Sequence, residues 1–328
     1  MTMLTMMDAI GSALSEEMRR DSRVLVFGEG AATKKAALAH EFGPERVRNT
    51  PLAEGIIAGT AAGAAATGLR PVIDLLFAPF LCYAMDEIVN SAGKLRYLSG
   101  GQFSFPLVVL AGTGSGWGIG AQHNHNVEAW FAHSPGLKVV MPSTPTDCKE
   151  LLRAAIRDDN PVLFFTDLAL SYTAGEDSGR VGQLGKAALR RRGSDVTLIA
   201  YAKSVHACSQ AAEDLAALGI SAEVIDLRSI KPLDEEAILA SARKTGRVIV
   251  VHEASRICGV GAEVAALVAE RAFTALRAPV IRLTGPDAPA PASYPLEQAF
   301  APQASDIISA ARTLVGDVRR REEVLAPA

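Results

Sequence analysis

Two groups of residues in this chain have types and spacings that can do chemistry. Glu54 lies in Asn-Thr-Pro-Leu-Ala-Glu-Gly, after a turn fixed by Pro51 and before an apolar, small-residue run at 55–68. A carboxylate entering such surroundings can satisfy the free backbone N–H groups of a helix start, or can be a proton donor whose pKa burial raises. His123 and His125 lie two apart in GAQHNHNVEAWF, so an extended segment turns both rings to the same side. Such a pair can begin a zinc site, but the remaining histidines are scattered and suggest no third ligand. A histidine just after a glycine-rich run at a strand end is otherwise placed for acid/base work, or is simply structural or exposed. The run itself, GTGSGWGIG at 112–120, fails the G-x-G-x-x-G test from Gly112, which meets Trp117, and from Gly114, which meets Ile119. From Gly116 the tolerated Ala121 completes it, but no helix clearly begins inside the run. A turn that comes close to some other group explains these glycines without a dinucleotide.

Positioning such residues takes a framework. Strand-like runs at 23–27, 71–76, 107–110, 138–141 and 162–165 alternate with helical patterns at 4–20, 84–98 and 146–157. After the polar, glycine-containing stretch TAGEDSGRVGQLGKA, further strand-like runs at 196–201, 223–227, 248–252 and 280–283 alternate with helical ones at 205–218, 234–245 and 261–274. A last helix is expected near 304–315. The alternation predicts an α/β fold of two three-layer domains, each a mostly parallel sheet flanked by helices. Their expected bounds are 1–175 and 191–328, with a linker at 176–190. The 55–68 run reads as a tightly packed internal helix, too short and too weakly apolar to span a bilayer.

With 33 basic and 36 acidic residues the formal net charge is −3, so no whole-chain field draws the protein to nucleic acid or an anionic membrane. The four cysteines, at 82, 148, 208 and 258, have neither disulfide-framework nor metal-ligand spacing, and point to a reducing compartment, here expected to be the cytoplasm. Small molecules and proteins are the expected partners.

Taken in order, AIGSALSEEMRRD, VFGEG, NTPLAEGIIAG, GLRPVIDLLFAPF, DEIVNSAGKLRYLSGG, AHSPGLKVVMPSTPTDCKELLRAAIRDDNPVLFF, GSDVTLIAY, AEVIDLRSIKPLD and TGRVIVVHEA resemble, almost end to end, the β subunits of pyruvate, branched-chain 2-oxo acid and acetoin dehydrogenases. The resemblance implies transketolase-like pyrimidine-binding and C-terminal domains. It also implies oxidoreductase chemistry: decarboxylation of a 2-oxo acid, or cleavage of an acyloin, through a thiamine-bound enamine, with transfer of the product group to a lipoyl acceptor. Glu54 matches the glutamate that hydrogen-bonds the aminopyrimidine of thiamine diphosphate. Leu52 and Leu76 match its apolar contacts and Phe80 the ring that stacks on it. Glu29 matches an acid on the path joining two active sites, and His123 the active-site histidine. Leu107, Ala155, Ile156, Asp158 and Asn160 match a structural potassium site, although a helix end and turn before Pro161 also accounts for that segment.

Thiamine enzymes hold the diphosphate and magnesium through a Gly-Asp-Gly motif followed by an Asn, and no Gly-Asp-Gly occurs here. A separate α subunit is therefore expected to supply that half of the site, in a heterotetramer of two α and two β chains that docks to a dihydrolipoyl acyltransferase core. Four departures mark an unusual member, one of them Phe77-Ala-Pro-Phe80 in place of Phe-Ala-Asp-Tyr, which keeps an aromatic ring and loses an acid. His123-Asn-His-Asn126 stands where relatives read His-Ser-Gln-Ser, Leu110-Ala-Gly-Thr113 replaces an Arg-x-Pro-like stretch, and the loop after Gly30 is shortened. His125 thus becomes a candidate for an added acid/base or a substrate-binding group, and a carbon–carbon ligase or split-transketolase subunit is the alternative reading.

Overall fold

The computed structural model describes residues 3–325. Its larger sheet contains β2 (Val24–Glu29), β3 (Val47–Thr50), β4 (Arg70–Phe77), β5 (Val108–Thr113), β6 (Lys138–Val140), β7 (Val162–Asp167) and β12 (Ser229–Lys231), in the order β12-β6-β7-β5-β4-β2-β3. The smaller sheet runs β14-β13-β10-β11-β9, from β9 (Ala188–Arg191), β10 (Val196–Ala200), β11 (Ala222–Asp226), β13 (Val248–Ser255) and β14 (Ile281–Gly285). Only β12 and β9 run antiparallel to their neighbours in these sheets. Every residue of β5, β10 and β11 is buried, as expected of parallel strands covered on both faces.

Helices cover both sides of the larger sheet. The helix Met6–Arg20 starts on a reciprocal Thr5–Asp8 capping box and packs against Pro145–Arg157, itself capped by Thr144 with Pro145 in its first turn. On the opposite face, Glu54–Ala66 buries Ile57, Ala58, Ala61, Ala62 and Ala65. Its small side chains permit close approach: a Cβ at Gly55 would lie 2.9 Å from the Tyr83 carbonyl oxygen. The 55–68 run is therefore an internal packing helix, as its composition predicts.

Three segments differ from expectation. The helix expected at 84–98 is instead a 3₁₀ turn (Ala78–Ala84), a π-helical stretch (Glu87–Ala92) and a short α-helix (Leu95–Leu98). Gly93 N–H reaches back to the Ile88 carbonyl, and the Gly93 carbonyl fits so closely under Gly136 that a Cβ there would be 1.9 Å away. That contact favours a widened turn over a regular helix. The first helix begins later than expected because β1 (Met3–Thr5) pairs with β8 (Ala174–Glu176). The expected linker 176–190 runs into β9, whose charged Ala-Leu-Arg-Arg sequence suits a sheet edge and carries no apolar strand signal. The two sheets also do not divide the chain at one point, since β12 lies beyond that segment and completes the first sheet.

Candidate active site

The C-terminal ends of β2, β4 and β5 form one rim, the edge where open α/β sheets bind ligands. β4 pairs with β5 regularly through Asp74 and Leu110, then bulges before Phe77 meets Gly112. Within the bulge Leu76 has φ 58°, a left-handed conformation that costs a non-glycine residue about 1–2 kcal/mol. Asp74 holds it there by accepting from Leu76 N at 3.2 Å and pairing with Lys35. Such strain is characteristic of ligand clamps. Leu76, Phe77 and Phe80 are all left half-buried around the bulge.

His123 packs edge-on against both rings, with centroids 5.0 Å from Phe77 and 5.1 Å from Phe80. The expected extended His123–His125 segment is instead a turn, with His123 N and Asn124 N both donating to Gly120 O. Burial of Asn124 fixes this turn, and the histidines take different partners: His125 lies edge-on to Trp130 at 5.2 Å. Partial desolvation lowers the His125 pKa below that of an ordinary imidazole.

Glu54 is the first residue of its helix, half-buried, with no hydrogen bond or ion pair among the described residues. It caps nothing, so the capping role does not account for it. Its neighbour Gly55 abuts Tyr83 in the same 3₁₀ turn that carries Phe80. Leu52, Ile56 and Tyr83 are exposed beside it, at 68%, 74% and 74%, leaving this side of the rim open in the single chain. Glu29 ends β2 opposite Thr50, whose buried hydroxyl has no partner among the described residues.

Sequence reasoning missed the residues behind the glycine-rich loop. Glu253 accepts from Ser115 N at 2.7 Å and pairs with Lys203, whose ammonium also donates to Ser115 O and Oγ. Burial pushes the neighbouring Asp167 carboxyl up to about 7, against the pull of Lys203. Glu297 accepts from Gly116 N, Gly118 N and Asn124 Nδ2. These acids are dispersed through apolar sequence, and only the glycine run hinted that something must approach it. Asn124, His125, Asn126, Glu253 and Asp287 line a cavity of about 370 Å³. A second cavity, of about 810 Å³, reaches from Lys34 and Lys35 to Leu76, Phe77 and Trp117.

Four of the five residues of the expected potassium site lie at the end of the helix Pro145–Arg157 and in the turn after it, and the fifth, Leu107, precedes β5 beside them. Arg70 donates to the Ile156 and Asp158 carbonyls at 3.0 Å, Leu107 O accepts from Val162 N, and Ala155 O accepts from Asp158 N. The Asp158 carboxylate takes Asn160 N and Nδ2 at 2.9 Å each and pairs with Lys138. The oxygen-rich donor set fits a hard cation, although protein donors already reach it. No group of three or more His, Cys, Asp or Glu side chains able to hold a metal occurs among the described residues.

Comparison with known proteins decides the family. Residues 2–170 match the transketolase pyrimidine-binding domain and residues 185–307 the transketolase C-terminal domain. The 2-oxoisovalerate dehydrogenase subunit beta of Bacillus subtilis (strain 168) is 45% identical over 324 residues, covering 96% of this chain and 99% of that protein. The chain belongs to the 2-oxo acid dehydrogenase β-subunit family. The β-2 subunit of the mitochondrial pyruvate dehydrogenase E1 component of Oryza sativa subsp. japonica is 44% identical, covering 94% of this chain and 85% of the rice protein. The acetoin:2,6-dichlorophenolindophenol oxidoreductase subunit beta of B. subtilis is 40% identical, covering 96% and 98%. A solved split-gene transketolase, described as an inactive beta4 tetramer, superposes with TM-score 0.80 at 26% identity over 95% of this chain and 98% of its own. The fold expected for this β-subunit family, two α/β domains with mostly parallel sheets, is the one observed.

Proposed function

We propose that this chain is the β subunit of a thiamine-diphosphate-dependent first component that acts on a 2-oxo acid or an acyloin and passes the product group to a lipoyl acceptor. The observation that carries the reading is the rim formed by strained Leu76, Phe80 and His123 beside Glu54, which has no partner among the described residues. These residues fit the aminopyrimidine half of the cofactor: an apolar wedge, an aromatic face and a free carboxylate. When bound, thiamine diphosphate supplies an acidic ring carbon and an electron sink.

In this reading Leu52, Leu76 and Phe80 orient the pyrimidine by apolar contact and stacking. The Glu54 carboxylate shares a proton with the ring nitrogen that faces it, and Glu29 lies on the path between paired sites. His123, fixed by two aromatic edges, moves a proton at the substrate oxygen. His125, turned toward Trp130 and the 370 Å³ cavity, contributes to substrate choice.

An α subunit supplies the diphosphate and magnesium ligands, in a heterotetramer of two α and two β chains bound to an acyltransferase core. The exposed apolar rim around Leu52, Ile56 and Tyr83 supports such a partner. The free cysteines support a cytoplasmic setting, and no helix among the described residues is long and apolar enough to cross a membrane. A potassium ion between Leu107 and the turn of Ala155, Ile156, Asp158 and Asn160 is tested by melting in potassium against choline chloride. A potassium-specific rise is expected; its absence leaves Arg70 and Lys138 as the turn's cations.

The deciding experiment titrates thiamine diphosphate with magnesium into the chain alone and into its complex with the α partner. Binding only in the complex, followed by lipoyl-dependent turnover of a 2-oxo acid or acyloin, is expected. Tight binding to the chain alone overturns the shared site. Ketol transfer to an aldose without lipoyl turnover would favour the second reading, which the likeness to a split-gene transketolase supports.

A further inference from the structure

The glycine-rich run at 112–120 is not a phosphate cradle, yet its backbone is built like one. Gly116 and Gly118 have φ +134° and +67°, conformations open to glycine, and both turn their N–H groups toward one acceptor. The anion they receive belongs to the protein. Glu297, on the helix Tyr294–Phe300, is 3% exposed. Its Oε1 accepts from Gly116 N at 3.1 Å, Gly118 N at 3.2 Å and Asn124 Nδ2 at 2.9 Å, and its Oε2 accepts from Gly118 N at 3.1 Å. One carboxylate from the C-terminal half thus grips both ends of the loop that carries His123.

We propose that Glu297 is the positioning residue for His123, so that the C-terminal domain sets the geometry of the reacting histidine as well as any assembly role. Asn124 is the link. Its side-chain amide is held by Glu297, and His123 immediately precedes it in the turn closed on Gly120. A second C-terminal contact, Glu253 to Ser115 N, fixes the start of the loop independently. The ring of His123 then has its backbone set from one side by Glu297 and its faces set from the other by Phe77 and Phe80. Hydrogen bonds to an ionised acceptor are the stronger kind, which suits a loop that cannot rely on helix or sheet pairing.

The proposal rests on His123 taking part in the reaction, and its test separates the two. In the assembled holoenzyme, Glu297→Ala, Glu297→Gln, His123→Ala and the double variants are compared. Glu297→Ala should lower kcat about 10- to 100-fold with KM little changed, the size expected when a reacting group is misplaced by an ångström or so. Glu297→Gln, which keeps one acceptor oxygen, should lose less. In the His123→Ala background neither change should lower kcat further. The second readout needs no turnover. In this chain by itself, with Trp130 replaced by phenylalanine, Trp117 is the sole tryptophan, and it sits between the two gripped glycines. Acrylamide quenching of its emission should rise in both Glu297 variants.

If His123→Ala keeps full activity, the reading of His123 fails. If His123→Ala is impaired but the Glu297 variants retain full kcat, or cost the same factor with and without His123, or leave Trp117 quenching unchanged, the positioning role is overturned. Should Glu297→Ala not assemble, Glu297→Gln carries the same comparisons.

Discussion

Tyr201 donates its hydroxyl to Glu128 Oε1 at 2.6 Å, joining the end of β10, the central strand of the smaller sheet, to the helix that follows the histidine loop. Both residues are buried, and the second oxygen of Glu128 has no partner among the described residues. Burial raises the Glu128 carboxyl, opposed in part by the Tyr201 bond. Replacing Tyr201 by phenylalanine should cost about 1–3 kcal/mol, because an acceptor is stranded in the core. Glu128→Gln, which keeps an acceptor without a titrating group, should stay within about 1 kcal/mol of the parent at pH 7. A raised carboxyl favours the folded state at low pH and loses that contribution as pH rises, so Glu128→Gln should also remove this fall. Urea denaturation across pH checks all three outcomes.

His252 is the opposite case. Its ring is buried against Tyr201, Nδ1 meets the Ala254 carbonyl, and Nε2 accepts from Gly261 N. Burial lowers its pKa from 6.5 to about 4. Between these values the unfolded chain binds a proton that the folded chain refuses, so stability is lost as pH falls from 6.5 toward 4. The loss from this group approaches about 3 kcal/mol at most. His252→Asn should flatten that part of a urea-midpoint profile, even if it is less stable at pH 7. An unchanged acid limb would mean that other groups set it.

Glu54→Gln isolates chemistry from folding. The carboxylate has no partner within the described residues, so melting should move by no more than about 1 °C, in the range of a neutral surface change. Turnover with the α partner should fall about 10²- to 10⁴-fold, the usual worth of a placed acid/base group. Intact turnover would remove Glu54 from the mechanism.

Gly116→Ala tests the close approach. An added Cβ would lie 2.7 Å from Ala169 Cβ, at a φ of +134°. Destabilisation by more than about 1 kcal/mol is expected, because neither the conformation nor the space suits alanine. Calorimetric melting of the variant reads it directly.

The parts of this molecule that follow from periodicity were legible. Apolar runs such as Val196–Ala200 and Val248–Ser255 are strands because they are buried on both faces, and the helix expected at 146–157 is the amphipathic Pro145–Arg157. What periodicity does not encode was missed. Ala188–Arg191 is a polar edge strand, and the segment after Phe77 winds irregularly to bring Gly93 under Gly136. Leu76 and Phe80 were readable only through family resemblance, since nothing local announces a bulge, whereas His123 also drew notice from its place after the glycine-rich run. Glu297, Glu253 and Lys203 were not readable, because each acts on a loop more than a hundred residues earlier or, for Lys203, nearly so.

The antiparallel strand Ser229–Lys231 closes the β6 edge of the larger sheet, although it follows the first strands of the smaller one. During synthesis that edge stays bare, its N–H and C=O groups unmatched, until the ribosome has delivered a segment from well inside the other half. The early sheet is then a template for any extended chain, which is the hazard of unprotected edges. Splitting the gene in the linker would make that hazard permanent for the isolated N-terminal fragment. Co-expression with the C-terminal fragment should keep it in solution.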